Sequence, residues 1–237
     1  MTDFALATDR ATPGLDRGAV GAWILRHALG ETGRANSMTA HGDPGLPIAE
    51  AIDRAEAWYA DRRRPAIVQL FDETPAPVGD ELDRRGYETG AITDVLAAPV
   101  AAVRGRIVVR DGLSTVVDLD LPPFLGDQLS PARAREMQST ALATRYATAT
   151  IGGAVVGGGM AIVDGDLVGV FAMRTDPQRQ GLGAGTAVLA ALLDSAIADG
   201  VTTAWLQVEA ANERAASWYE RLGFERRTGY RYRHQFV

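Results

Sequence analysis

Twelve residues between an expected strand and an expected helix decide the fold of this chain: Thr175-Asp176-Pro177-Gln178-Arg179-Gln180-Gly181-Leu182-Gly183-Ala184-Gly185-Thr186. Before them, residues 166–173 form a short apolar run after the turn dipeptide Asp164-Gly165, a pattern typical of a buried strand. After them, residues 187–199 are rich in good helix formers and stop at Gly200, a residue favoured just beyond a helix. The sequence therefore predicts a strand, a glycine loop and a helix in succession.

The glycines of this loop suggest a phosphate site. Gly181, Gly183 and Gly185 carry no Cβ, so the backbone can approach a ligand closely, and the first N–H groups of the helix have no partner within it. This geometry suits a phosphate or pyrophosphate, although a plain glycine-rich turn would show the same residues. The loop lacks the Lys-Ser/Thr of a P-loop and the acidic ribose-binding residue of dinucleotide-binding folds.

Composition narrows the class of protein. With 237 residues, the chain can bury a sizeable core as one large domain or two small ones. A hydrophobic fraction of 46% and a charged fraction of 23% are those of an ordinary globular protein. The net charge of −6, with basic residues spread along the chain, argues against a nucleic-acid partner.

Several kinds of site and location are not expected. The chain has no cysteine and three isolated histidines, so we expect no disulfide, no thiolate nucleophile and no metal site. No apolar run approaches the roughly 20 residues of a membrane span, and residues 1–17 do not have the pattern of a signal peptide. These observations predict a cytoplasmic protein that does not contact a membrane.

The order of elements predicts three segments: a flexible N-terminus at 1–19, a first unit at 20–100 and a second unit at 103–237. The first unit is expected to contain strands at 21–28, 34–41, 66–71 and 87–97, and helices at 48–63 and 79–85. The second is expected to contain a strand near 106–109, a helical region at 121–143, strands at 146–151, 154–163, 166–173, 203–209 and from 225, and helices at 187–199 and 213–221.

Local similarity between the two units suggests an internal repeat. Ile67-Val68-Gln69-Leu70 parallels Trp205-Leu206-Gln207-Val208, and both units have an Arg-x-Gly-aromatic segment after a short helix. Coincidence between two generic α/β units is the alternative. In the first unit, Pro44 and Pro47 replace the glycines of the second, and proline has no N–H to offer a phosphate. We therefore expect the second unit alone to bind the ligand.

Two motifs of the second unit resemble the GCN5-related N-acetyltransferases (GNATs). The glycine loop matches the Pro-x-x-Arg/Gln-Gly-x-Gly-x-Gly/Ala sequence that binds acetyl-CoA in that family, at Pro177, Gln180, Gly181, Gly183 and Gly185. The segment Asn212-x-x-Ala215-x-x-Trp218-Tyr219-Glu220-Arg221-Leu222-Gly223-Phe224 resembles the family's Asn-x-x-Ala-x-x-aromatic-Tyr-Glu-x-x-Gly-Phe helix. The resemblance covers residues 105–237 strongly and 20–100 weakly, as in tandem GNATs of actinobacterial type.

This resemblance implies an α/β (α+β) fold of two acyl-CoA N-acyltransferase-like units, with a mixed, mostly antiparallel sheet flanked by helices and an incomplete first unit. It implies acetyl-CoA as the acyl donor, no metal, and a small-molecule amine such as an amino acid as the acceptor. The strand before the loop is expected to splay from its neighbour and to pair with the pantetheine arm. The residues that the resemblance assigns to acetyl-CoA are Met173, Thr175, Gln180, Gly181, Leu182, Gly183, Ala184, Gly185, Thr186 and Asn212.

The resemblance also assigns a catalytic acid. Tyr219 would protonate the departing CoA thiolate, because a phenol with a pKa of about 10 keeps its proton at neutral pH. A packed helix aromatic beside Trp218 is the structural alternative. Leu82 stands at the matching position of the first unit, which is therefore expected to be inert. For the base that deprotonates the amine, we select Glu209, which ends a strand beside the expected cleft; a solvated carboxylate would look the same.

Residues 34–37 of the first unit, Arg-Ala-Asn-Ser, are unusually polar for a strand. Arg34 and Asn36 could face the cleft and bind the substrate, with Arg34 on a carboxylate, although an exposed edge strand would read the same way. Tyr230, Tyr232 and His234 alternate near the C-terminus, as expected for sheet packing.

The pattern leaves two other functions open. A module that senses CoA without turnover would contain the same motifs. An aminoacyl transferase on the doubled fold would need tRNA, against which the acidic balance argues. The oligomeric state, monomer or homodimer, is open as well.

Overall fold

The computed structural model describes residues 2–127 and 129–235 as one large sheet with helices on both faces. The strands are β1 (Asp16–Val20), β2 (Trp23–His27), β3 (Met38–Thr39), β4 (Ile67–Phe71), β5 (Glu88–Pro99), β6 (Leu113–Asp118), β7 (Ala143–Ile151), β8 (Ala154–Asp164), β9 (Leu167–Thr175), β10 (Thr203–Glu209) and β11 (Glu225–His234). The helices are α1 (Phe4–Ala11), α2 (Ile48–Ala60), α3 (Ala76–Arg84), α4 (Val100–Arg106), α5 (Pro123–Gly126), α6 (Pro131–Met137), α7 (Ala184–Ala198) and α8 (Glu213–Arg221).

The sheet has the order β1-β2-β3-β4-β11-β5-β10-β9-β8-β7-β6. Its two parallel neighbours are β3 with β4 and β9 with β10, and the other pairs run antiparallel. The expected α/β class with a mixed, mostly antiparallel sheet is therefore confirmed. The strand at 203–209 and the helix at 213–221 have the predicted bounds.

The two halves of the chain exchange their last strands. β11 of the second half pairs with β4 and β5 of the first half, and β5 pairs in turn with β10 of the second half. The segments β2-β3-β4 and β8-β9-β10 lie on opposite sides of this exchange with the same relative directions. The predicted division into units at 20–100 and 103–237 stays a prediction, because one sheet runs across that boundary.

Three apolar clusters stabilise the two faces of this sheet. The first packs α4 and α7 on the second half, with Val103, Val188 and Leu192 at its centre. The second joins α1 to strands of both halves, and the third packs α2 and α3 on the first half. Since the second cluster contains residues from both halves, the free energy of unfolding depends on contacts between them.

The prediction of a flexible N-terminus is wrong for residues 4–11, which form α1. Its start is capped by Asp3, whose side chain accepts a hydrogen bond of 3.0 Å from the Leu6 N–H. Phe4 packs on Trp205 with ring centroids 6.1 Å apart. A short helix with mixed polar residues gives little periodicity in the sequence, because some of its polar residues are buried by partners distant in the chain.

Two predicted strands are also corrected. Residues 100–106 form helix α4 with Val100 and Val103 buried on one side, and the strand expected near 106–109 begins only at Leu113, after Gly112. Gly112 has φ +82°, which permits the turn before β6. Residues 34–37 are a turn, and only Met38 and Thr39 pair in β3. The helical region expected at 121–143 consists of the short helices α5 and α6.

Candidate active site

An opening between β9 and β10 forms the centre of the site. The two strands pair over four positions, Leu167–Val170 with Thr203–Leu206, although β9 continues to Thr175 and β10 to Glu209. The strands therefore separate beyond Val170, as expected from the family resemblance. Backbone N–H and C=O groups on the diverging edges are then available to an extended ligand.

A bulge in β9 shapes one edge of this opening. The register between β8 and β9 shifts between Gly158 and Met160, and Ala172 has φ +51°, a conformation that costs a residue with a Cβ about 1 kcal/mol or more. A Cβ on Gly159 would lie 2.4 Å from the Met173 Sδ, so only glycine leaves room for that side chain. Met173 follows Ala172 in this bulge and forms part of the wall of the opening.

The glycine loop lies at the end of β9. Pro177–Arg179 form a 3-10 turn, and Gly181 (φ +79°) and Gly183 (φ +90°) adopt left-handed conformations before α7 begins at Ala184. A Cβ on Gly181 would meet no atom within 4 Å, so this side of the loop is open. The first N–H groups of α7 have no partner within the helix. The loop therefore has the shape and the donors to hold a pyrophosphate.

Two arginines from other parts of the chain form hydrogen bonds to this loop. The Arg110 Nη1 donates to the Gly181 carbonyl at 2.9 Å, and the Arg214 Nη1 donates to the Gln180 Oε1 at 3.1 Å. Gly185 lies near Thr175 and Trp218, since a Cβ there would be 3.6 Å from the Thr175 Oγ1. The two hydrogen bonds connect the loop to the segment before β6 and to α8.

A cavity of about 610 Å³ occupies the opening. Its lining brings together five of the residues predicted from sequence: Met173, Glu209, Asn212, Tyr219 and Arg34. Residues 180–183 lie in the adjoining glycine loop and residues 184–186 in the first turn of α7, and none of them is part of the cavity lining. The lining residues that the sequence did not indicate include Glu31, Gln207, Tyr230 and Tyr232.

Tyr219 lies in α8 and is 7% exposed. Its ring packs on Trp218 and Phe224, with centroid distances of 4.7 and 5.6 Å. Burial raises the pKa of the Tyr219 phenol to about 12, so the group stays protonated at neutral pH and has a proton to donate. Both the packing alternative and a donor role are thus compatible with this position.

Glu209 and Asn212 stand at the turn between β10 and α8. The Asn212 N–H donates to the Glu209 carbonyl at 2.8 Å, and the Asn212 side chain caps α8 by accepting from the Ala215 N–H at 3.2 Å. The Glu209 carboxylate is exposed at the rim of the cavity. Asn212 therefore has a structural role in addition to its place in the lining.

Asn36 is not among the residues that line the cavity, and its assignment to the substrate stays a prediction. Its side-chain oxygen accepts from the N–H groups of Ala28 and Gly30, and its amide donates to the Thr32 carbonyl and the Glu136 carboxylate. Asn36 thereby organises the loop of residues 29–37, which we name the 29–37 loop. Both polar atoms of the Asn36 side chain therefore form hydrogen bonds within the fold. The sequence did not indicate these bonds, because their partners come together only when the loop has folded.

Within residues 2–127 and 129–235, no group of three or more histidine, aspartate or glutamate side chains has the geometry of a metal site. Over the same part of the chain, every helix is too short or too polar to cross a bilayer.

Comparison with known proteins adds independent findings. The protein-family model described as "Probable histone acetyltransferase Rv0428c C-terminal" matches residues 3–233. The [ribosomal protein bS18]-alanine N-acetyltransferase of Escherichia coli (strain K12) is 42% identical to this chain over 59 residues. That match covers 25% of this chain and 40% of the relative, so it spans less than half of the relative's length.

Solved structures share the fold over most of the chain. A GCN5-related N-acetyltransferase from Kribbella flavida has a TM-score of 0.74 and 18% identity, and the match covers 99% of this chain and 95% of that one. A tandem GNAT protein from the clavulanic acid biosynthesis pathway has a TM-score of 0.64 and 13% identity, with 79% and 70% covered. At these identities the likeness shows a GNAT fold.

Proposed function

This chain belongs to the family described as probable histone acetyltransferase Rv0428c C-terminal, and we propose from this membership that it transfers an acetyl group from acetyl-CoA to a primary amine of a small molecule. The observation that carries the proposal is the opening between β9 and β10, which leads from the glycine loop to a cavity that contains Tyr219. Acetyl-CoA, when bound, supplies the acetyl group as a thioester, and transfer forms a C–N bond to the amine as the C–S bond breaks.

Different groups of the chain bind different parts of acetyl-CoA. N–H groups of residues 181–186 bind the pyrophosphate at the start of α7, where the helix dipole also favours negative charge. The edge of β9 that β10 leaves unpaired, at Met173 and Thr175, pairs with the pantetheine arm, and Asn212 contacts the arm from the start of α8. The open side of Gly181 supports this assignment, since a side chain there would occupy that space.

Two residues transfer the protons of the reaction. Glu209 accepts the proton that the ammonium must lose before its nitrogen can attack, and Tyr219 donates its phenolic proton to the departing sulfur. Its raised pKa means that the phenolic proton is present throughout the physiological pH range, as a proton donor requires. Proton exchange with solvent then returns both groups to their starting states.

Isothermal titration with acetyl-CoA tests the donor site. Gly183→Pro should abolish binding, because proline cannot adopt φ +90° and has no N–H. The matched control is Gly45→Pro in the corresponding loop of the first half, where glycine also has a left-handed φ, of +69°. The control should bind acetyl-CoA like the wild type, and equal affinity of Gly183→Pro would exclude the glycine loop as the donor site.

Turnover is measured as free CoA released with a panel of small amines. Release above the rate without amine supports the proposed transfer. Binding of acetyl-CoA without release for any amine would instead favour the CoA-sensing alternative.

A further inference from the structure

We propose that the 29–37 loop of the first half forms the acceptor site, and that Arg34 binds a carboxylate of the acceptor. The acceptor is then an amino acid or a similar small zwitterion, which carries a carboxylate beside its amine. This inference rests on the function proposed above and specifies its substrate class. It also assigns a function to the half of the chain whose own loop has prolines in place of glycines.

The 29–37 loop reaches across the exchanged strands to the cleft of the second half. Glu31, Thr32, Gly33 and Arg34 all line the cavity that contains Tyr219. Gly33 lies directly on the Tyr232 ring, where a Cβ would be 2.8 Å from the Tyr232 Cζ. The cavity therefore has a donor side from the second half and a wall from the first half.

A buried carboxylate of the second half holds this loop in place. Glu136 in α6 has a side chain that is 0% exposed, and its Oε1 accepts from the Leu29 and Glu31 N–H groups at 3.0 Å each. The same carboxylate accepts from the Thr32 hydroxyl at 3.2 Å and from the Asn36 amide at 2.8 Å. So many bonds to one buried group indicate a loop with a defined position.

Arg34 is held in the cavity by a neutral partner. Its Nη1 donates to the Gln207 Oε1 at 3.0 Å, and Gln207 is oriented in turn by its own bond of 2.7 Å to the Thr8 hydroxyl. In residues 2–127 and 129–235, no carboxylate lies within 4.0 Å of the Arg34 guanidinium. A guanidinium has five N–H donors, so the half-buried Arg34 retains donors and an unbalanced charge.

Other guanidinium groups add to this positive charge. Burial lowers the pKa of Arg133, and the charges of Arg34 and Arg174 lower it further, while Glu136 opposes the change. Arg34 and Arg174 thus each lie close enough to Arg133 to repel it, and Glu136 is the carboxylate beside Arg133. A ligand carboxylate would relieve this repulsion and could take a paired hydrogen bond from Arg34.

The carboxylates of the cavity are complementary in charge to the ammonium group of the same ligand. Glu31 and Glu209 are part of its lining, and Glu209 is the residue proposed to deprotonate the amine. A zwitterion places its ammonium near these carboxylates and its carboxylate on Arg34. A purely cationic amine would leave Arg34 without a carboxylate partner, so the charge pattern favours the zwitterion.

The test compares two pools, the proteinogenic amino acids and their carboxamides, with the full-length protein. Binding to the CoA-loaded protein is measured by saturation-transfer NMR, and acetylation by CoA release. The amine of a carboxamide is less basic and more of it is unprotonated at neutral pH, so intrinsic reactivity favours that pool. We expect at least one amino acid to bind and to exceed its carboxamide in kcat/KM about 10- to 100-fold.

Variants locate the effect at Arg34. Arg34→Ala should remove binding of the acid and bring the two kcat/KM values together, mainly through KM, and Arg34→Glu should reverse the preference. Arg54→Ala is the matched control, because Arg54 is an exposed arginine of α2 whose partner is Glu50. Unchanged acetyl-CoA binding by each variant shows that its fold and donor site are intact.

The inference is overturned if no amino acid binds, if both pools bind equally well, or if Arg34→Ala has the selectivity of the wild type. Release of CoA with amines that lack a carboxylate, including the N-terminus of a peptide amide, would retain the proposed transfer and refute the carboxylate site. Binding of amino acids through Arg34 without CoA release would support the site and refute the transfer.

Discussion

Glu136 provides the strongest test of how the two halves build one site, because it accepts four hydrogen bonds from the 29–37 loop. Three of them, from the Leu29 N–H, the Glu31 N–H and the Asn36 amide, converge on Oε1, and the Thr32 hydroxyl binds Oε2. Arg133 adds an ion pair at 3.6 Å. Two substitutions, Glu136→Ala and Glu136→Gln, separate the contribution of these bonds from that of the charge.

The magnitudes follow from this geometry. Glu136→Ala leaves four donors without their partner, and at about 1 kcal/mol each we expect a loss of about 3 to 5 kcal/mol in the free energy of unfolding. Glu136→Gln can retain the bonds to Oε1 through its carbonyl but loses their charge assistance. We expect it to cost about 1 to 2 kcal/mol.

Urea unfolding measures these free energies, and hydrogen exchange at the Leu29 and Glu31 amides measures the order of the loop. Both variants should raise KM for the acceptor while acetyl-CoA affinity stays that of the wild type, since the glycine loop does not contact Glu136. The reasoning would be refuted by equal costs for the two variants, or by a cost for Glu136→Ala below about 1 kcal/mol with unchanged exchange.

Three further predictions concern Tyr219 and the strand exchange. Tyr219→Phe keeps the ring packing and should lower kcat about 10²-fold or more without changing the acetyl-CoA Kd in titration, whereas unchanged kcat would exclude it as the acid. Burial raises the pKa of Tyr219 to about 12 from about 10 in the unfolded chain. Its contribution to the free energy of unfolding is therefore fully present below about pH 10 and is lost as the pH rises towards 12. Urea midpoints should fall over this range, and less steeply in Tyr219→Phe. Deleting residues 225–237 removes the central partner of β4 and β5, so thermal scans should show no cooperative transition; a folded first half would contradict this.

Local signals in the sequence were sufficient to predict the elements of the proposed donor site. The glycine loop and the segment from Asn212 to Phe224 lie on consecutive elements of one half, and their conformations follow from residues near them in sequence. Gly183 at φ +90° and Asn212 as a helix cap are examples of such local determination. The splayed strands were expected from family resemblance rather than from any residue pattern.

The proposed acceptor site depends on contacts between distant parts of the chain, which the sequence does not reveal. Asn36 was assigned to the substrate although it bonds Glu136, which is 100 residues away. The helix α1 was missed because Thr8, one of its buried polar residues, is satisfied by Gln207, 199 residues away. From sequence alone, a polar residue is predicted to be exposed unless the distant partner that binds it in the fold is known.

The amino-acid sequence by itself determined the strand, loop and helix that we propose as the donor site, and it suggested a second, degenerate copy. The exchange of β5 and β11 was beyond it, because an antiparallel strand has the same alternating pattern whichever neighbour it joins. That exchange brings the 29–37 loop over the cleft of the other half. The glycine loop is encoded locally, whereas the cavity beside it exists only once the two halves share one sheet.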